Sequence, residues 1–255
     1  MLRIITCFKW VVDQADIKTA PGSRELALER AAYRISDYDR FAIEEAVTLQ
    51  EQYGGSTAAI TVGTPAARKS LKDVLSRGPE KAYFVNDPSF DNLEPSQTSS
   101  ILASAIRTGL EYDLIICGEG SGDLYAQQVG PRLAEALDIP CTTCVSKLTI
   151  YGHQLIAERK LEDGIEVVTI PLPALITVLP EINTPRIPGL KDTLAASKKP
   201  VIEITAADLG QSFEPCLQTV SILAATMERS GVKFTSEPGD ITKFVDAILK
   251  TGAIG

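Results

Sequence analysis

The sequence is short of the residues and runs that several common functions require. Its 255 residues include a single histidine, His153, and their formal net charge is −8. No cluster of lysine and arginine offsets that charge, so we expect no nucleic-acid binding, which needs concentrated positive charge. No apolar run reaches the roughly 18 residues of a membrane-spanning helix, so we expect no membrane insertion.

Features of secreted proteins are also missing. The first residues, MLRIITCFKWVVDQ, lack the basic region, apolar stretch and small-residue cleavage site of a secretory signal, and predict a first strand instead. The sequence has five cysteines, an odd number that does not fit a disulfide framework. We therefore expect a cytoplasmic protein.

Catalytic and metal-binding motifs are equally scarce. Cys141 and Cys144 form a C-x-x-C pair, but strand-like residues follow it, whereas a thioredoxin-type pair opens a helix. A zinc site would need two further ligands, and only His153, in a predicted surface turn, and scattered cysteines remain. No Walker motif, Ser/His/Asp set or carboxylate pair stands out. We predict no metal site, no catalytic residue and no enzymatic activity.

The order of the segments indicates an α/β fold. Strand-like and helix-like segments alternate four times within about 140 residues, which predicts a mostly parallel, doubly wound, Rossmann-like sheet. Turn signals at Tyr151-Gly152 and Asp163-Gly164 then predict a β-meander that completes the sheet. The core is complete by about Gly210. We therefore predict a domain over 1–210 and a C-terminal arm over 211–255, with an amphipathic helix at 241–250.

A glycine-rich segment, GEGSG at 118–122, lies between a strand-like run and a predicted helix over 124–138. Ligands of doubly wound sheets bind at the carboxyl ends of strands. Glycines there let backbone N–H groups approach an anion close to a helix N-terminus. The segment therefore predicts a phosphate-binding loop, and a tight turn shaped by the same glycines is the alternative. The first strand is not followed by G-x-G-x-x-G, the common dinucleotide fingerprint.

The segment AERKLEDGIEVVTIPLPALIT (157–177) resembles the signature of electron transfer flavoprotein beta subunits. The matching pattern consists of a small residue, a base, an acidic pair with glycine, a further acid, an aliphatic residue and a proline: Ala157, Arg159, Glu162, Asp163, Gly164, Glu166, Val168 and Pro173. The resemblance extends over residues 2–210. DVLSRGP and GSGDLYAQQVG are most similar to the Fix-type branch of the family.

This resemblance implies an adenine-nucleotide-binding domain, with AMP in the commonest type of beta subunit and a second FAD in electron-bifurcating types. It also implies an FAD shared with, or held by, an alpha subunit. Where many members have D-G-D-T-x-Q, this chain keeps only Asp123 and Gln128. The positions that match the family's nucleotide site are Cys7, Lys9, Ser36, Asp37, Tyr38, Asp39, Val62, Gly63, Gly118, Glu119, Gly120, Ser121, Gly122, Asp123, Leu124, Tyr125, Ala126, Gln127, Gln128 and Val129.

The resemblance also implies partners. The family's docking loop corresponds to residues 183–192, with Leu190 as the apolar anchor beside Pro185 and Arg186. Such a subunit passes electrons between a flavin dehydrogenase, of the acyl-CoA type, and a quinone-oxidoreductase or ferredoxin-type acceptor. The arm would pack on the alpha subunit. The alternatives are an electron-bifurcating variant and a nucleotide-binding regulatory module without a redox role. An adenine-nucleotide enzyme would need a catalytic set that the sequence does not show.

Overall fold

The computed structural model describes residues 1–225 and 231–252. Its strands are β1 (Leu2–Cys7), β2 (Trp10–Val12), β3 (Lys18–Thr19), β4 (Leu26–Ala27), β5 (Tyr33–Ile35), β6 (Gly55–Gly63), β7 (Lys81–Asn86), β8 (Leu114–Gly118), β9 (Cys141–Tyr151), β10 (Gln154–Leu161), β11 (Gly164–Pro171), β12 (Ala174–Val178) and β13 (Val201–Thr205). Its α-helices are α1 (Asp37–Tyr53), α2 (Ser70–Ser76), α3 (Pro95–Arg107), α4 (Val129–Leu137), α5 (Leu190–Ala196), α6 (Ala206–Leu209) and α7 (Asp240–Thr251).

Nine strands form one mostly parallel sheet in the order β11-β10-β9-β12-β8-β1-β6-β7-β13. Strand β1 lies between β6 and β8 and runs parallel to both. The chain therefore builds the sheet outward from β1 through β6 and β7, then returns to the other side of β1 with β8. The carboxyl ends of β1 and β8 thus form a topological switch point, where open α/β sheets bind ligands.

Helices cover both faces of this sheet. On one face, Ile5 of β1 and Ile115 of β8 share a core with Ile101 of α3 and Leu133 of α4. On the other face, Ile4 and Ile116 pack with α1, and β6 and β7 pack with α2. Because both faces are covered, the central strands are largely apolar on both sides; in β8, for example, Leu114, Ile115, Ile116 and Cys117 are all buried. The predicted doubly wound α/β fold is confirmed.

The predicted β-meander is also confirmed. Strands β9, β10 and β11 pair antiparallel, whereas β12 inserts parallel between β9 and β8. Leu161 pairs with Gly164, so the tight turn of the second hairpin is Glu162-Asp163, one residue earlier than the predicted Asp163-Gly164. A two-residue turn at Gly152 and His153 joins the first pair.

The predicted helix over 124–138 is shorter in the structure, because α4 begins only at Val129. Tyr125 and Gln127 have positive φ angles of 47° and 56°, which a right-handed helix cannot contain. The glycine-rich segment therefore continues into a longer irregular loop than the sequence predicts.

The chain divides into two compact units, and the first comprises Met1–Lys18 and Ala27–Ile222. Residues after 210 continue along α3 within this unit: Gln97 Nε2 donates to the Phe213 carbonyl at 2.7 Å, and the Phe213 ring packs edge-on against Phe90. Thr219 Oγ1 donates to Glu94 at 2.8 Å. The boundary at 210 stays a prediction.

The second unit comprises Thr19–Leu26 and Leu223–Gly255. Arg24 Nε donates to the Ala224 carbonyl at 2.8 Å, and Phe234 packs edge-on against Phe244 of α7. No residue of α7, all of which is described, is buried. Within the predicted arm, residues 226–230 and 253–255 lie outside the described residues. Over residues 1–225 and 231–252, no helix combines the length and apolar character needed to cross a membrane.

Lys199, which follows α5, caps the C-terminal end of α2. Its Nζ donates to the carbonyl oxygens of Leu75 at 2.8 Å, Gly78 at 2.9 Å and Pro79 at 2.7 Å. A positive charge is favourable beside the unsatisfied carbonyls at the end of a helix. Burial lowers the pKa of the Lys199 ammonium group. These hydrogen bonds fix the segment that follows α5 onto α2.

We expect Lys199→Met to lower the free energy of unfolding by about 1–3 kcal/mol, because three part-buried carbonyl groups lose their charged donor. Equilibrium urea unfolding measures the change. Lys198→Met is the matched control: its side chain is exposed, so this variant should stay within about 0.5 kcal/mol of the wild type. Equal stability of the two variants would contradict the capping role of Lys199.

Candidate functional site

The candidate site lies at the switch point between β1 and β8. Lys9 follows β1, Ser36 precedes α1, and residues 119–128 form the loop between β8 and α4. Ser36 is fully buried; its N–H donates to the Lys9 carbonyl at 3.0 Å, and its Oγ accepts from the N–H of Gly122 at 3.2 Å. The structure thus brings together segments that are far apart in the sequence.

The buried carboxylate of Asp39 connects the ends of both strands to the first turn of α1. One oxygen accepts a hydrogen bond from the Lys9 backbone N–H at 2.7 Å, and the Gly118 N–H is a second backbone donor. A Cβ atom added to Gly118 would lie 2.7 Å from Asp39 Oδ1 and 2.8 Å from the Tyr38 backbone. Glycine at position 118 is therefore required by the close approach of β8 to α1.

Burial raises the pKa of Asp39 to about 7, although the two backbone donors oppose this change. The nearby Asp123 adds a smaller increase, and the positive charge of Lys9 a decrease. Asp39 is thus a carboxylic acid that titrates near neutral pH, at the floor of the site.

Asp123 organises the glycine-rich loop above this floor. Its Oδ2 accepts from Lys9 Nζ at 2.6 Å, and its Oδ1 accepts from Ser121 Oγ at 2.5 Å and from the Leu124 N–H at 2.8 Å. Burial alone would raise the pKa of Asp123, but the Lys9 charge and these hydrogen bonds lower it. Asp123 is therefore a carboxylate, held by a cation and two further donors.

An aromatic pair forms another wall of the site. The rings of Tyr38 and Tyr125 lie 5.0 Å apart at an interplanar angle of 45°. A Cβ atom on Gly120 would lie 2.6 Å from the Tyr125 ring, so this glycine makes room for the tyrosine. Burial, and then a hydrogen bond with Glu119, raise the pKa of Tyr125 to about 12.

Gly122 differs from the other two glycines of the loop. A Cβ atom there would meet nothing closer than Gln14 Nε2 at 3.5 Å, and Gly122 has no positive φ angle. The protein's own packing therefore does not require glycine at this position. Open space adjoins it: a cavity of about 240 Å³ is lined by Val11, Val12, Asp13, Gln14, Ala15, Arg34, Asp37 and Gly122.

The remaining predicted nucleotide-site residues lie at the same edge of the sheet. Val62 and Gly63 end β6, on the far side of β1 from β8. Cys7 is buried at the end of β1 beside Cys117, and this contact, together with burial, raises the pKa of the Cys117 thiol well above its usual value. Ala126, Gln127 and Gln128 lead into α4, which begins at Val129.

The predicted docking residues lie elsewhere. Leu190 begins α5 and its side chain is 78% exposed. Pro185 is partly buried. Arg186 is engaged with α1, because its guanidinium bonds Glu44 and Glu51, each at 2.9 Å. The docking role of these residues stays a prediction.

The structure places the C-x-x-C pair in β9, as the strand-like sequence predicts, and His153 in an exposed turn. Among the described residues, no group of three or more histidine, cysteine, aspartate or glutamate side chains could hold a metal ion.

Sequence reasoning missed Gln14, Arg34 and the short strands β2 and β5. Gln14 Nε2 donates to the Gly122 carbonyl, and Arg34 lines the cavity and pairs with Asp13 at 3.5 Å. The sequence after β1 reads as a long loop, so no periodic signal marked these residues. Antiparallel pairing of Trp10 with Ile35 brings them to the site.

We expect the titration of Asp39 to make stability depend on pH. Its pKa is about 7 in the folded protein and 3.8 as the ordinary value, so the folded state binds the proton more tightly. The free energy of unfolding should therefore fall as the pH rises from about 4 to about 7, by up to about 1.4 kcal/mol per pH unit.

Asp39→Asn should lack this contribution, so its difference from the wild type should change across that window in urea unfolding at several pH values. Asp163→Asn, in an exposed turn, is the control and should keep the wild-type slope. A difference between the wild type and Asp39→Asn that is constant from pH 4 to pH 8 would contradict the assignment.

Comparison with known protein families agrees with this architecture. The model of the electron transfer flavoprotein domain matches residues 25–209, which is more than half of the chain. The match includes α1, the whole of β8 and the glycine-rich loop, and so covers most of the switch-point site. The chain belongs to the electron transfer flavoprotein domain family.

Proposed function

We propose that this chain is the beta subunit of a heterodimeric electron transfer flavoprotein, of the Fix-type branch. It carries electrons between a flavin dehydrogenase and a downstream acceptor, without catalytic residues of its own. The supporting observation is the convergence of the glycine-rich loop, Lys9 and the start of α1 at the β1–β8 switch point, in a chain of this family. The odd number of cysteines fits a cytoplasmic location.

The site supports the binding of an adenine nucleotide, either AMP or a second FAD. Gly122 is the key observation, because no packing contact of the protein explains it, and a glycine lets a ligand approach the backbone. Lys9 supplies a cation and Tyr38 and Tyr125 supply aromatic surface. The cavity beside Gly122 offers room next to the loop. A second FAD there would make the complex electron-bifurcating.

The redox chemistry belongs to the flavin of the complex, which accepts and releases electrons when bound between the two subunits. This chain orients the flavin and its partners. The exposed apolar residues Ile241, Phe244, Val245 and Leu249 of α7 offer a surface for the alpha subunit. A short helix needs such packing for its own stability.

Residues 183–192 are proposed to dock an acyl-CoA-type dehydrogenase. Leu190 is 78% exposed and Ile187 is 94% exposed, and exposed apolar side chains in a held loop suit an interface anchor. Arg186 holds the loop on α1, and Lys199, beyond α5, holds the following segment on α2. Arg186 therefore positions the loop, whereas Leu190 reaches the partner. Electrons would leave to a quinone oxidoreductase or a ferredoxin-type acceptor.

We expect the chain, co-expressed with its alpha subunit, to give a yellow complex that releases FAD and an adenine nucleotide on heating. Gly122→Val should keep the fold and the alpha subunit but lose the nucleotide of this chain, because the added side chain fills space that the protein itself leaves free. Chromatography of the released nucleotides measures both and identifies AMP or FAD.

The control is Thr149→Val, at an exposed position of β9, which places the same side chain outside the site. It should retain the nucleotide. A colourless complex would contradict the electron-carrier function, whereas a full nucleotide content in folded Gly122→Val would contradict the site.

We expect Leu190→Ala to lower kcat/KM for electron transfer from an acyl-CoA dehydrogenase by roughly 5- to 150-fold, the range of an interface hot spot. The melting temperature should stay unchanged, because the side chain makes little contact with its own protein. Leu217→Ala, an exposed leucine elsewhere, should leave both quantities unchanged. Normal electron transfer with a large loss of melting temperature would show that Leu190 is structural.

A further inference from the structure

Three donors from two separate segments converge on the Asp123 carboxylate. Lys9 Nζ comes from the end of β1, and Ser121 Oγ and the Leu124 N–H come from the loop after β8. A cation, a hydroxyl and a backbone N–H are the groups that bind a phosphate oxygen elsewhere in proteins. We propose that these donors form an anion subsite, and that Asp123 is its internal occupant, which a ligand phosphate displaces.

The loop backbone supports this inference. If the glycine-rich loop bound phosphate through its N–H groups alone, those groups would point away from acceptors of the protein. Instead, the Gly122 N–H donates to Ser36 Oγ, the Leu124 N–H to Asp123 Oδ1 and the Tyr125 N–H to the Ser121 carbonyl at 3.0 Å. Only side-chain acceptors can leave by a rotation, and among these three acceptors Asp123 alone carries a charge.

Electrostatic repulsion requires Asp123 to leave the subsite when a phosphate binds. Asp123 and a phosphate cannot occupy the subsite together, because two anions would share the single cation Lys9. The Asp123 side chain is about one third exposed, at 30%, so the carboxylate can rotate into solvent. The subsite thus keeps Lys9 in place and paired until a phosphate arrives, and the cost of displacement lowers the affinity for the ligand.

Asp123→Asn removes the competing charge and keeps the size of the side chain. After removal of bound nucleotide from the complex, we expect this variant to bind AMP at least fivefold more tightly than the wild type in isothermal titration calorimetry. Inorganic phosphate should likewise raise its melting temperature at lower concentration. Lys9→Met should weaken the binding of both probes. Asp163→Asn, which removes an equal charge from a distant exposed turn, should match the wild type.

Weaker binding of AMP and phosphate by Asp123→Asn would overturn the inference and make Asp123 a direct ligand contact. Unchanged binding would overturn it as well. If Asp123→Asn does not fold, Asp123→Ser provides the same comparison with a smaller side chain.

The inference rests on the proposed function only for the adenosine part of the ligand. Testing AMP and inorganic phosphate separately distinguishes the anion subsite from the nucleotide assignment. Phosphate binding that improves in Asp123→Asn, without binding of AMP or FAD to any variant, would support the subsite and overturn the nucleotide assignment.

Discussion

The site depends on one close approach, that of the carboxyl end of β8 to the first turn of α1. Gly118 and Asp39 meet there so closely that a single added carbon would overlap the carboxylate. The same carboxylate accepts the Lys9 N–H, so the end of β1 is fixed by the same group. A fully buried carboxylate is costly to ionise. The same burial that raises the pKa of Asp39 thus lets its carboxylate fix the ends of β1 and β8 to the first turn of α1.

Residues 183–192, the loop proposed to dock a partner, likewise combine side chains that fix the loop with side chains that face solvent. The Arg186 guanidinium donates from Nε to Glu44 Oε2 and from Nη2 to Glu44 Oε1, and it also bonds Glu51; the Glu44 side chain is only 11% exposed. Bidentate geometry fixes the orientation of an arginine as well as its position. Lys199 fixes the other side on α2. Between these two points the apolar side chains Ile187 and Leu190 face solvent, so the proposed docking of a partner would cost less conformational entropy.

Much of the fold could be predicted from the sequence, because strand-length apolar runs alternate with amphipathic segments of helical period. The turn chemistry of the β9–β11 meander was visible to within one residue. The start of α4 was not, because QQVGPRLAEAL has helical character and nothing in the sequence shows that Tyr125 and Gln127 adopt positive φ angles. The long-range contacts around this turn are the packing of Tyr125 on Tyr38 and the bond of Asp123 to Lys9, which local sequence does not reveal. The residues Gln14 and Arg34 were missed for a similar reason: only the pairing of β2 with β5 brings them to Gly122.

Three of the hydrogen bonds that build the site join residues that are distant along the chain. Lys9 and Asp39 are 30 positions apart, Gly122 and Ser36 are 86 apart, and Lys9 and Asp123 are 114 apart. The unfolded chain therefore does not bring Lys9, Ser36 and Asp39 to the glycine-rich loop, and a ligand that needs all of them binds the folded state far more tightly. Each tenfold excess of such a ligand over its Kd adds about 1.4 kcal/mol to the free energy of unfolding. Under the proposed function, the nucleotide would act as a folding ligand, and the stability of the chain would rise with the concentration of free nucleotide.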